Sequence, residues 1–246
     1  MYGHLLVDSE QLGWRAVLSR EEILGLPLLR AEVPGRPELG GRALRRKLYR
    51  AAERLWGQGI SRVLVPPEFP HRLWEPLCRA GLRGVEVEPL CQAVAAKLIL
   101  KALERRGLIP ARSTVCLAGE GAGGALQRTA QELARSVGRL TFDAGEQGRR
   151  LTDWLGREFG LPRIEPGSLR PDLTVAFAPQ KEPHPADLRL YGQTPDLGGL
   201  RLTAAERSLP ADAAELPLLA ALWESGRLTE REIRAVVCRF VKHIGQ

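Results

Sequence analysis

Two rhythms of apolar and polar positions run along the 246 residues. Gly3 to Asp8 and Trp14 to Leu18 are short runs that predict strands. Glu21 to Leu29, interrupted by Gly25 and Pro27, predicts a short helix or a turn, and Pro34, Gly35 and Pro37 mark a loop. Between Gly41 and Gly57, Leu44, Leu48, Ala51, Ala52 and Leu55 recur at helical spacing and make one apolar face. From Ile60 the pattern becomes regular: a strand over Ser61–Val65, a helix over Pro70–Ala80, a strand over Gly84–Glu88. A long helix over Leu90–Arg106 follows. Its apolar positions Val94, Ala95, Leu98, Ile99, Ala102 and Leu103 cover much of the circumference, which predicts a place between layers.

Gly107-Leu108-Ile109-Pro110 ends that helix. Thr114–Ala118 then reads as a strand, followed by a glycine cluster, a helical stretch and a second strand over Arg139–Phe142. Gly148–Phe159 is a helix carrying Leu151, Trp154, Leu155 and Phe159, terminated by Gly160-Leu161-Pro162. Residues 163–165 predict a short strand, and Asp172–Ala178 an apolar one of the kind covered on both sides. Residues 180–201 are rich in Pro and Gly and contain one strand, Leu188–Tyr191. Closing helices are expected over Ala211–Ser225 and Thr229–Lys242, with Gly226 as a C-cap and Thr229 and Glu232 as a capping box. Strands alternating with helices predict an α/β protein, with a mainly parallel sheet and helices on both faces. Residues 1–107 are expected to form an N-terminal α/β portion and 108–246 a second one with the closing helices.

The chemistry concentrates at the glycine cluster, Gly119-Glu120-Gly121-Ala122-Gly123-Gly124. Gly119, Gly121 and Gly124 fill a G-x-G-x-x-G spacing, and Asp143 lies 19 residues past the last of them. In such a loop the first glycine permits the tight turn, and the second lets the backbone approach a pyrophosphate. The third lets helix and strand pack closely. The helix that follows offers unpaired N–H groups and the positive end of its dipole. Glu120 places a carboxylate inside this loop, where it repels an anion unless it points to solvent. Without a ligand, the same glycines make a tight strand-to-helix turn.

Strand, glycines, helix, strand and acid in this order resemble the dinucleotide-binding Rossmann superfamily, over residues 113–143. The resemblance implies a Rossmann-like parallel sheet whose ligands bind outside the carboxyl ends of the strands, so that Ala118, Asp143 and Ala178 share one rim. It implies NAD(P) as cofactor, held at Gly119, Gly121 and Gly124, with Asp143 on the ribose. NAD is expected over NADP, because a carboxylate accepts from a 2′-hydroxyl and repels a 2′-phosphate; Arg149 and Arg150 lie close enough in sequence to soften that preference. Gly119 to Gly123 also resemble the G-x-G-x-G loop of proteins that bind S-adenosylmethionine. The acid that such proteins carry two positions before the first glycine is Leu117 here, which disfavours a methyltransferase.

Other classes fail on missing parts. Gly124 is followed by Ala125 rather than the lysine of a P-loop, and there is no G-x-S-x-G and no H-E-x-x-H. No tyrosine has a lysine four residues on. Cys78, Cys91, Cys116 and Cys238 form no C-x-x-C pair and are expected as buried thiols. His4, His71, His184 and His243 are scattered, so local spacing assembles no metal site. Lys181, Glu182, His184, Asp187 and Tyr191 follow the Asp172–Ala178 strand, where Rossmann enzymes often keep reactive groups. His184, between two prolines, reads equally as an exposed loop histidine or a general acid.

No apolar run reaches the length of a membrane span, and the N-terminus lacks a basic segment followed by a long apolar one. A cytoplasmic protein without membrane contact is expected. Two function classes fit the chain. One is an NAD(P)-binding protein, an oxidoreductase acting on a small molecule. The other is a non-catalytic α/β protein that kept the fold without the chemistry and binds a ligand or partner.

The net charge is +7 and the pI about 9.7, which permits contact with polyanions. Arg42, Arg45, Arg46, Lys47, Arg50 and Arg54 crowd the polar surface of the first helix. Few aromatics interleave with them, so a solvated face without specific nucleic-acid binding is expected. Any association with nucleic acid should therefore be weak and unspecific. A salt slope equivalent to several phosphate contacts, abolished by changing Arg45, Arg46 and Arg50 to Glu, would contradict this reading.

Overall fold

A computed structural model describes residues 1–10, 13–37, 41–162, 164, 169–179 and 185–238. The chain is an α/β protein of two compact units. One comprises Met1–Glu86 with Ala204–Glu232; the other comprises Val87–Thr203 and the chain from Ile233 onward.

The first unit opens with β1 (Tyr2–Asp8), β2 (Val17–Ile23) and β3 (Leu26–Pro34), followed by α1 (Arg42–Gly57), β4 (Arg62–Leu64), α2 (Trp74–Arg79) and β5 (Arg83–Gly84). The sheet order is β2-β3-β1-β4-β5, parallel throughout except for the antiparallel edge strand β2. The stretch expected as a helix or turn over Glu21–Leu29 is a hairpin. Leu24 and Gly25 both take positive φ, 51° and 80°, as a two-residue turn with right-handed strand twist requires. Pro27 pairs with Glu22 one residue before β1 joins at Leu28, so its missing N–H interrupts nothing on that side. On α1 the five expected apolar residues are all buried, packed with Leu5, Ala31, Val33 and Val63 of the sheet.

The second unit contains α3 (Glu88–Ala93), α4 (Ala95–Arg105), β6 (Thr114–Ala118), α5 (Gly124–Leu133), β7 (Arg139–Asp143), α6 (Gly145–Phe159), β8 (Leu173–Ala176) and β9 (Leu188–Arg189). Its four strands run parallel in the order β7-β6-β8-β9. The long helix expected over Leu90–Arg106 breaks at Val94, which leaves helical geometry at φ −102°, ψ 18°. Val94 O still accepts from Leu98 N–H at 3.2 Å, so the apolar stripe carries through the break. The strand expected over Gly84–Glu88 is only two residues long, because Glu88-Pro89 opens α3.

The last elements are β10 (Leu200–Ala204), α7 (Glu215–Glu224) and β11 (Ile233–Val237). The helix expected from Thr229 is a correction. Glu232 does accept from Thr229 N–H at 2.8 Å and from its hydroxyl at 2.9 Å, but these bonds close a single turn. The β-branched run Ile233–Val237 then pairs with β10 as a ribbon. The expected strand at 163–165 lies outside the described residues, apart from Ile164. Among the described residues, no helix is long and apolar enough to cross a membrane.

Leu48 is fully buried at the centre of the α1 face. Leu48→Ala should lower the unfolding free energy by about 2–5 kcal/mol, while Arg46→Ala on the exposed side stays within ~0.5 kcal/mol. Urea denaturation of both variants checks this, and equal effects would mean that α1 is not held by its apolar face.

Candidate functional site

The site begins with strand register. Ala118 is level with Asp143 on one side and with Ala176 on the other. The ladder ends on two further bonds: Gly119 N–H donates to Asp143 O at 2.9 Å, and Phe177 N–H to Ala118 O at 2.8 Å. From β6 the chain moves through α5 to β7 on one side. From β7 it returns through α6 to β8 on the other. The direction of winding therefore reverses at β6, and the glycine loop leaves the sheet at that point. Ala178 lies two residues beyond the β8 end of the rim.

The three glycines have three different surroundings. A Cβ on Gly119 would meet Gly121 O and Leu126 Cδ1, both at 3.3 Å, so the first glycine permits a tight turn under α5. On Gly121 it would meet Gln147 Oε1 at 2.6 Å. On Gly124 it would meet nothing within 4 Å. None of the three has positive φ, so close approach rather than backbone handedness is what the first two positions require.

Gly123 is the N-cap of α5 and supplies no side chain to cap it. The helix ladder starts with Gln127 N–H donating to Gly123 O at 3.0 Å, so the N–H groups before it have no partner within the helix. Gly123 and Gly124 are exposed, and so is Glu120. The Glu120 carboxylate is therefore solvated, which meets the condition set by the sequence.

Gln147, in the first turn of α6, reaches across the loop, and its Oε1 accepts from Ala122 N–H at 2.9 Å. Nothing in the glycine motif signals this residue. Gly148 beside it sets the helix down on β7: a Cβ there would lie 3.1 Å from Phe142 Cβ. Asp143 is exposed at the tip of β7. Arg149 and Arg150 are also exposed, and both pair with Glu146 on their own helix, at 3.8 and 3.5 Å.

On the β8–β9 side, α3 buttresses the rim. Gln92 Nε2 donates to Phe177 O at 3.0 Å and to Leu190 O at 3.2 Å, while Glu88 accepts from Gly192 N–H at 2.7 Å. Periodicity alone makes α3 only part of a buried helix. Its polar residues gain meaning once the strand order is known.

Of the reactive groups expected after β8, Lys181, Glu182 and His184 lie outside the described residues. Asp187 serves the sheet itself, accepting from Thr174 N–H at 2.8 Å and pairing with Arg106. Tyr191 is half-buried just past β9. All four cysteines are free thiols, and Cys78 is exposed where a buried position was expected. Burial pushes Cys91 up to about 12 and raises Cys116, whose strand position also brings the Asp143 charge near it. Both are therefore protonated at neutral pH and weak nucleophiles.

No protein-family model and no curated protein matches the chain. Among solved structures, the chain is similar to L-tryptophan dehydrogenase from Nostoc punctiforme, at 17% identity and a TM-score of 0.28. The match covers 60% of this chain and 44% of the other, so the chain spans less than half the length of that enzyme.

Gly121 and Gln147 form one unit. Gly121→Ala should push the Gln147 side chain aside and release its bond to Ala122 N–H. Either Gly121→Ala or Gln147→Ala should then cost roughly 1 kcal/mol, and the double variant little more than one of them. A double-mutant cycle by urea denaturation reads this directly; additive costs would show that the two residues act separately.

Proposed function

We propose that the second unit binds a nucleotide, NAD in preference to NADP, in the crevice outside the carboxyl ends of β6 and β8. On this reading the protein is an oxidoreductase acting on a small molecule. Position carries the proposal: the glycine loop leaves β6 where the winding reverses, directly before the uncapped N-terminus of α5. Open α/β sheets bind ligands at that place.

The residues there fit the group. Gly119 and Gly121 keep the loop backbone free of side chains. The exposed first turn of α5 offers N–H groups and the positive end of a helix dipole to a phosphate. Gly123 and Gly124 leave open space in front of it. Asp143 stands exposed on the adjacent strand tip, where its carboxylate can accept from a ribose hydroxyl and disfavour a 2′-phosphate. The pairing of Arg149 and Arg150 with Glu146 draws their charge away from that discrimination. Bound NAD would supply a hydride acceptor; the chain's own part is to hold it and to exclude water.

Gln147 supports a second reading. Its Oε1 already satisfies Ala122 N–H, so the loop is complete without an anion. The protein is then a non-catalytic relative that binds a ligand or partner at the same rim.

Thermal-shift measurements with NAD, NADP and S-adenosylmethionine separate the readings. Ligand at a hundred times its dissociation constant should stabilise the fold by about 2.7 kcal/mol, with NAD effective at lower concentration than NADP. Asp143→Asn should narrow that difference, and Gly121→Ala should weaken binding while leaving the fold intact. No shift with any of the three at millimolar concentration favours the non-catalytic reading, and NADP preference in the wild type removes Asp143 from the site.

A further inference from the structure

The histidines look scattered in the sequence, but folding brings one of them into a group of metal-type donors in the first unit. His4 is fully buried in β1, the central strand of its sheet. Glu21 reaches it from the edge strand β2, and Asp212 from the segment before α7. One donor atom from each of His4, Glu21 and Asp212 lies within 4.8 Å of the other two. Spacings of that order suit a divalent transition metal, whose neighbouring N and O ligands stand roughly 3–3.5 Å apart when each bond is about 2.0–2.2 Å.

The bonding of the imidazole points the same way. Nδ1 faces Glu21 Oε2 at 2.8 Å, and Nε2 faces the backbone oxygen of Asp212 at 3.3 Å. Both ring nitrogens thus meet acceptors, while a neutral imidazole has a single N–H. With a cation on Nδ1, the proton sits on Nε2 and donates to the Asp212 carbonyl. A second bond of this kind, from a metal-bound histidine to a backbone carbonyl, fixes the ring orientation at metal sites.

The carboxylate oxygens divide in the same sense. Arg30, on the neighbouring strand β3, lies 3.3 Å from Glu21 Oε1, 2.8 Å from Glu32 Oε1 and 3.6 Å from Asp212 Oδ2. Glu21 Oε2 is left to His4. Asp212 Oδ1 is buried without a hydrogen-bond partner, which for a carboxylate oxygen is unfavourable unless a cation supplies the missing contact. Three carboxylates against one guanidinium leave two negative charges beside a neutral histidine. A single divalent ion balances them.

We propose that His4, Glu21 and Asp212 bind a divalent transition metal of the zinc class, with water completing the coordination. Glu21 and Asp212 are partly exposed, which gives the ion a route in. The bound ion joins the edge strand, the central strand and the α7 approach. Arg30 makes the site moderate in affinity, because its charge competes for the same carboxylates.

The test uses the full chain freed of metal with a chelator. Zinc titrated by calorimetry should bind one per chain, cobalt should give visible absorption bands of a nitrogen–oxygen site, and magnesium should not compete. Glu21→Gln and Asp212→Ala should each weaken zinc by about tenfold or more while the protein stays folded. His4→Gln removes a buried group and can unfold the unit. The wild-type readout is therefore the 15N signal of the His4 ring, whose Nδ1 should shift on zinc addition. No binding at millimolar zinc overturns the site and leaves His4 as a buried partner of Glu21. Binding that neither variant weakens, or that leaves the His4 ring signal unmoved, also overturns it.

Discussion

The register of β6 between β7 and β8 is the constraint on which the rim depends. It is fixed at the amino ends of the strands, far from the loop it positions. Asp172 accepts from Thr114 N–H at 2.7 Å, and Asp187 accepts from Thr174 N–H at 2.8 Å, so one carboxylate satisfies the start of each of β6 and β8. Gly138 brings β7 into line: its N–H donates to Pro110 O at 2.9 Å, and a Cβ there would lie 2.5 Å from Ala111 O. A one-residue slip in any of these pairs would turn every side chain to the opposite face. Ala118, Asp143 and Ala176 would then no longer end level.

The two units meet the demands of a parallel sheet differently. In the second, the strands are apolar and crossover helices carry the chain between them. In the first, the path from β1 to β3 runs through a hairpin, so parallel neighbours are joined by an antiparallel edge strand instead of a helix. That strand carries Glu21 into the sheet beside His4 and Arg30. The polar group in this unit is thus a product of its topology, since a helical crossover would have placed no carboxylate there.

Local pattern made much of this readable. The α1 face and the β6–α5–β7 passage follow from periodicity and glycine spacing alone, because their bonds link residues close in sequence. The errors arise where one signal serves two structures. Gly25 and Pro27 punctuate a hairpin as well as they break a helix. Thr229 and Glu232 make the same reciprocal bonds around one turn as around the start of a long helix, and β pairing decides which continues. Gln147, Gln92 and the His4 group escaped for another reason. Each owes its role to a partner distant in sequence, from the 25 residues between Ala122 and Gln147 to the 208 between His4 and Asp212.

That last separation bears on how the protein is made. Tyr2 donates to Glu224, and His4 faces Asp212, so the first strand to leave the ribosome finds its polar partners in one of the last segments synthesised. At roughly 5–20 residues per second the wait is on the order of 10–40 s. During it the second unit, continuous from Val87 to Thr203, emerges whole. The nascent sheet must meanwhile carry a buried-type histidine and an unmatched tyrosine on an open face. The N-terminal unit is therefore begun first and completed late, which makes its half-built sheet the stage most exposed to misassembly during synthesis.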